Sequence, residues 1–363
     1  HGPGRGRLVR TAFFKRVRPE QIREIALLVI IIAVVVFFAT QVPNFASGRT
    51  FTRVATTIPI TVVLGVGLTL VILTRNIDLS IGSQVAVVAY GVGTFLLTDP
   101  SMNPIFVIAL CILLGVIMGA INGLIVAYGG VPAIVATLGT LAIYRSILST
   151  TASAEPVTVA KLPDWIVDIN SINLSTIEGF QIRILPLLAL AIVIVFQLII
   201  SYARYGRRLF AIGSNPDAAR VAGLPIKRDV FAAFVICGAL AGLAGWMWIA
   251  RFGNVNTQAA VGLELAVVAA VVVGGVNIFG GSGSMIGVVL GAMLIVLLDQ
   301  GLIRWAEVSE FLRDALLGLL ILLAVASDKI ILDRLRAVWA RERRLEDERE
   351  RAGPAAPQAA GDG

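Results

Sequence analysis

The sequence carries one apolar run after another, each long enough to cross a lipid bilayer. Examples are "TVVLGVGLTLVIL" (61–73) and "LPLLALAIVIVFQLII" (185–200), each continuing into further apolar residues. Runs of roughly 18 or more such residues read as transmembrane helices. Hydrocarbon offers no hydrogen-bond partners, so a spanning segment must satisfy its own backbone. Ten candidate spans follow, at about 24–42, 55–74, 81–98, 104–127, 133–150, 183–203, 230–250, 264–280, 284–303 and 311–327. The expected fold is an all-α polytopic membrane protein. Composition agrees: 57% of residues are hydrophobic and 15% charged, against about half and about a quarter in soluble domains.

The formal charge of +7 is not spread as a nucleic-acid-binding surface would need. Seven Lys/Arg fall in residues 1–23 and eight in 329–351, just outside the terminal spans. Positive charge marks the cytoplasmic side, so a basic N-terminal segment (1–23) and a charged tail (329–363), partly disordered, are both expected in the cytoplasm, flanking a membrane domain at 24–328. An even span count agrees. The first apolar block reads as a span and not as a signal peptide. The "HGPGRGR" start holds the only histidine, His1. The same parity puts 151–182 outside, and that loop has one Lys and no Arg against Glu155, Asp164, Asp168 and Glu178. It puts 204–229 inside, and that loop is rich in Arg. Trp165 reads as an interfacial belt residue, or else as a partner contact.

Catalytic chemistry finds little support. With His1 alone there is no His-based triad or His metal site. No GxxxxGK[ST] loop is present for ATP, and no Cys or carboxylate cluster has metal-ligand spacing. Cys111 and Cys237 lie inside spans and read as structural thiols. A transport role is favoured, with no catalytic residue and no cofactor in this chain.

The basic loop "RYGRRLFAIGSNPDAARVAGLPIKRD" (204–229) contains a short helix with complete boundary signals. Ser214 or Asn215 can accept an orphan backbone N–H as N-cap, and Pro216 suits the first helical position. Asp217 lies where the helix dipole favours negative charge. Gly223 can take the left-handed C-cap, with Pro225 blocking continuation. About two turns are marginal alone in water, so the helix needs the bundle or a partner to hold it.

This loop resembles the coupling segment of permease subunits of bacterial ABC importers, in the branch that carries ribose and related sugars. The resemblance runs from about 55 to 328, through "GVGLTLVILTRNIDLSIGS" (65–83), "GGVPAIVATLGTLAIYRSI" (129–147), the 204–229 loop, "CGALAGLAGWMWIAR" (237–251) and "GLELAVVAAVVVGGVNIFGGSGSMIGVVLGA" (262–292). "LTRNIDLSIGS" and "VPAIVATLGTLAIYRSI" are most similar to rhamnose and autoinducer-2 importer permeases. The resemblance implies a bundle of about ten spans like the vitamin B12-type importer fold. It implies a second permease, identical or different, a separate ATP-binding subunit that holds ATP and magnesium, and a periplasmic or lipid-anchored solute-binding protein. The coupling residues it implies are Gly213, Asn215, Pro216, Asp217, Ala218, Ala219, Arg220 and Gly223, with Ala218 and Ala219 small enough for close docking.

Two polar interruptions, "NIDLSIGS" (76–83) and "NIFGGSGS" (277–284), share Asn, Ile, Gly and Ser at an offset of 201. Gly-interrupted segments between apolar runs point to a transporter site, and Asp78 at membrane depth would be a functional residue. The span positions also allow both segments to be turns at the cytoplasmic side, with Asp78 solvated. Asn76, Asp78, Ser80, Asn122, Arg145 and Asn277 are candidates for the solute path, with Arg145 alternatively snorkelling outward. Glu264, after the polar "NVNTQ", is a candidate contact for the binding protein. Gly238, Gly242 and Gly245 read as close helix-packing positions. An ion-coupled secondary transporter is the rival reading. It predicts several intramembrane carboxylates, and the sequence offers little beyond Asp78.

Overall fold

The computed structural model describes residues 19–152 and 156–306, with three further helical positions at 315, 318 and 319. The expected tenth span, most of the charged N-terminal segment and the 329–363 tail lie outside the described residues. The helices are α1 (Pro19–Gln41), α2 (Gly48–Leu73), α3 (Ile81–Thr98), α4 (Pro104–Gly123, extended by a π turn to Tyr128), α5 (Ala133–Ala152), α6 (Asp164–Asp168), α7 (Ile184–Tyr202), α8 (Arg204–Ser214), α9 (Pro216–Val221), α10 (Ile226–Phe252), α11 (Leu263–Val273) and α12 (Met285–Ala306). Eight of these are long and apolar enough to span a bilayer among the described residues. The expectation for 264–280 fails. α11 has 11 residues, which at 1.5 Å rise reach about 16 Å, half of a hydrocarbon core.

α2 forms the centre and is buried along most of its length from Pro59 to Leu73. α1, α4 and α7 are peripheral. Each exposes large apolar residues at helical spacing, such as Ile25, Val29, Ile32 and Val36 on α1, and Leu187, Leu190, Ile194 and Leu198 on α7. A continuous apolar exterior of this kind suits lipid.

α4 and α10 meet backbone to backbone. A Cβ on Gly115 would strike the Gly238 carbonyl, one on Gly238 the Gly115 carbonyl, one on Gly119 the Phe234 carbonyl and one on Gly242 the Cys111 carbonyl. Small residues at four-residue spacing allow this approach, which larger side chains would block. Gly238 and Gly242 thus have the packing role their spacing suggests. Gly245 likewise sits against Val85 and Val88 of α3.

One end of the bundle carries residues 156–183, where β1 (Asn173–Ile177) and β2 (Phe180–Arg183) pair antiparallel. This segment folds onto the helices. Gln181 N–H donates to Thr52 Oγ1 at 2.8 Å, Ile166 is fully buried, and Val157 pairs with Val255. Trp165 packs partly buried against the core, with Nε1 enclosed. The opposite end carries α8, α9 and the connections 74–80 and 274–284.

Candidate functional site

α9 is built as its residues dictate. Asn215 is the N-cap, its side-chain oxygen accepting from Ala218 N–H at 3.0 Å. Gly223 has φ +72°, and Pro225 follows it. The loop is pinned beneath by Arg208, whose Nε and Nη2 donate to Asp229 Oδ2 at 2.7 Å and Oδ1 at 2.9 Å. Asp229 is buried. A bidentate pair of this kind fixes orientation as well as position. Asp217, Ala218, Arg220 and Val221 face outward, and Val221 is 91% exposed. Ala219 is buried against the chain itself, so only Ala218 of the two alanines can serve a docking surface.

α8 leads into α9 through a clasp that sequence reading missed. Arg75, just past the end of α2, donates from Nε to the Gly213 carbonyl at 2.6 Å and from Nη2 to the Ser214 carbonyl at 2.9 Å. A Cβ on Gly213 would strike the Leu73 carbonyl and Gly281 N, so Gly213 serves close approach and not partner docking. Gly281 N–H donates to the Leu73 carbonyl at 3.2 Å.

The two interruptions do share a local structure, but one residue away from the alignment at 201. After α2, Asn76 N–H bonds the Val71 carbonyl and Arg75 N–H the Ile72 carbonyl. After α11, Val276 N–H bonds the Val271 carbonyl and Gly275 N–H the Val272 carbonyl. Both are Schellman ends, related by an offset of 200. The left-handed position is Gly275 (φ +87°) in one and Arg75 (φ +65°) in the other. A non-glycine residue held there costs about 1–3 kcal/mol.

From Arg75 the chain turns back into the bundle, and Asp78 is fully buried. This overturns the solvated-turn expectation. Asp78 Oδ1 accepts from Ser80 N–H (2.9 Å) and Ser80 Oγ (2.6 Å), while Oδ2 accepts from Gln84 Nε2 (3.3 Å) and Asn122 Nδ2 (3.2 Å). Asn122 Nδ2 and Gln84 Nε2 also donate to Ser80 Oγ, each at 2.8 Å. All four side chains have no exposed surface, so in this conformation they form a closed joint between α3 and α4 and do not line an open path. The side-chain oxygens of Gln84 and Asn122 have no partner. Asp78→Asn keeps one side-chain oxygen to accept from Ser80 N–H and Oγ–H, so it is expected to cost about 1–3 kcal/mol, less than Asp78→Leu. Asp78→Leu strands the surrounding donors, at about 1–3 kcal/mol for each buried group left unmade. Thermal melts of the two variants check this, and equal losses would refute it.

The remaining path candidates do not join this cluster. Asn76 Nδ2 donates locally to the Thr74 carbonyl and hydroxyl. Asn277 organises its own turn, its Oδ1 accepting from Phe279 N–H. Arg145 does not snorkel: Nη1 and Nη2 donate to the Ala259 and Ala260 carbonyls at 2.7 and 3.4 Å. It thereby holds a turn in which Ala260 has φ +54°. Because α11 is short, residues 253–262 descend into the bundle before it starts. Glu264 therefore lies against Gly82, with Oε2 buried where a Gly82 Cβ would be, and is not presented at the outer end. Short α11 was the missing signal, as no periodicity announces that a helix begins at half depth.

Spanning helices, a broken central connection and a capped helix projecting at one end together define a polytopic permease. Residues 50–325 match the family of the branched-chain amino acid transport system permease component. The chain belongs to this family of ABC importer permeases and is a membrane-spanning permease subunit. It is 32% identical over 303 residues to the autoinducer 2 import system permease protein LsrC of Salmonella typhi, covering 83% of this chain and 84% of that protein. It is 33% identical over 324 residues to that of Enterobacter sp. (strain 638), covering 89% and 90%. For Yersinia pseudotuberculosis the identity is 34% over 279 residues, covering 77% of each. No solved structure matches the chain.

Proposed function

We propose that this permease imports autoinducer 2 or a sugar of similar size, that a solute-binding protein delivers the solute to the end carrying the β1–β2 hairpin, and that a separate ATP-binding subunit docks on α9. The observation that carries this reading is α9 itself. A two-turn helix is capped at both ends, pinned by Arg208 and Asp229 and clasped by Arg75, yet presents Asp217, Ala218 and Val221 to solvent. Rigid support beneath an exposed knob suits transmission of force. ATP and magnesium belong to the partner. The permease works as a pair, with itself or with a second permease.

An ion-coupled transporter without an ATPase is the second reading. It is favoured by buried Asp78, with which no lysine or arginine forms an ion pair among the described residues. Mass spectrometry of what purifies with the chain in mild detergent decides between them. An ATP-binding subunit is expected. An active particle of this chain alone, indifferent to ATP, refutes the first reading.

In this orientation Ala218→Cys labels only from the cytoplasm and Ala160→Cys only from outside. Labelling of intact cells with an impermeant maleimide checks it, and the reverse pattern overturns the topology.

A further inference from the structure

The strain at the end of α2 falls on a residue whose side chain reaches the knob. We propose that Arg75 is a positioning residue, a strut that carries displacement of α9 into residues 76–80 and the Asp78 joint. The proposal rests on the reading of α9 as the docking knob.

Arg75 occupies a left-handed position, φ +65°, at a Schellman end whose structural counterpart holds Gly275. Glycine satisfies that geometry without strain, so the backbone gives no reason for arginine. The side chain does. Its forked donors bond the Gly213 and Ser214 carbonyls, the last two of α8. Carbonyls at a helix end have no intrahelical partner, and the end carries partial negative charge. Asn215, the N-cap of α9, is the next residue, so the guanidinium holds the root of the knob.

The clasp has no slack. Gly213 has no space for a Cβ against Leu73 and Gly281, and a Cβ on Gly280 would lie 2.7 Å from Arg75 Cγ. Close-packed elements move together and do not deform continuously. Three residues beyond Arg75, Asp78 bonds Ser80 at the start of α3 and Asn122 on α4. Motion of the α8–α9 junction is thus delivered to two spanning helices through one short segment.

Leu79→Cys places a thiol in the segment, where Leu79 is half-buried and the native Cys111 and Cys237 are buried. The complex with its ATP-binding subunit is reconstituted in lipid nanodiscs. Maleimide labelling rates are compared with ATP–vanadate trapped and without nucleotide. With Arg75 present, the ratio of the two rates is expected to depart several-fold from one. Arg75→Gly is expected to bring it to one while retaining complex assembly, basal ATP hydrolysis and the melting temperature. Arg75→Lys, which cannot fork, should give an intermediate ratio. Arg75→Ala should give the Gly ratio at a lower melting temperature, because alanine keeps the strain without the clasp. An unchanged ratio in Arg75→Gly, or a ratio of one with Arg75 present, overturns the strut. Ala218→Trp separates this from failure of the knob itself. If it leaves assembly and the ratio untouched, α9 is not the docking site; if it abolishes both while Arg75→Gly abolishes neither, only the strut fails.

Discussion

Gly238→Ala is expected to destabilise the permease by roughly 2–4 kcal/mol, enough to deplete the folded protein from the membrane. Core overpacking costs about 1–3 kcal/mol when side chains can yield. Here the obstacles are the Gly115 carbonyl and the Gly119 backbone, which yield only if α4 and α10 separate. Separation would release contacts along the whole seam, since Gly115, Gly119, Gly238 and Gly242 all rely on the same interhelical distance. The same one-carbon change at Gly91, whose Cβ direction is open, should be neutral or gain about 0.5–1 kcal/mol from helix propensity. Detergent melting curves of the two variants measure the contrast. Similar melting temperatures would show that the seam is not closely packed.

Ala218→Trp with Asp217→Lys is expected to lower ATP-driven uptake by about 30-fold or more, as loss of a central interface contact costs about 2 kcal/mol or more. Both side chains point away from the bundle, and Asp217 meets only Arg220 at 3.5 Å, with both side chains largely exposed. Such a pair contributes little to stability, so the melting temperature of the chain should stay unchanged. Ala219 is unsuitable for this test, because its burial would confuse misfolding with uncoupling. Uptake in proteoliposomes containing the ATP-binding subunit, with autoinducer 2 as the probe and ribose as a second solute, gives the readout. Normal uptake with normal subunit binding would remove α9 from the coupling path. Asn215→Ala should act more mildly, since losing a cap costs about 0.5–2 kcal/mol of helix stability.

Much of this architecture was legible along the chain. Hydrophobic runs located eight of the spans, because backbone satisfaction in lipid leaves one solution and its length is set by bilayer thickness. The boundaries of α9 were readable because capping is local chemistry: Asn215, Pro216 and Gly223 act within a few residues of themselves. The glycine spacing of Gly238 and Gly242 announced close packing, though not that Gly115 and Gly119 would receive it.

What lay beyond the sequence was every property that depends on depth or on a distant partner. Asp78 read more readily as a solvated turn than as a buried group, until the chain was seen to turn back into the bundle and meet Asn122, 44 residues away. Glu264 read as an outer-end residue until α11 proved too short to span. Arg75 drew no notice, since its meaning comes from a left-handed backbone and from carbonyls 138 and 139 residues distant. Local hydrogen bonding and the solvent requirement of each segment are written in neighbouring residues, so sequence alone determined eight spans and the capped helix. Burial and long-range hydrogen bonds exist only once helices are assembled, so tertiary structure alone decided which polar residues form the joint and which hold the knob.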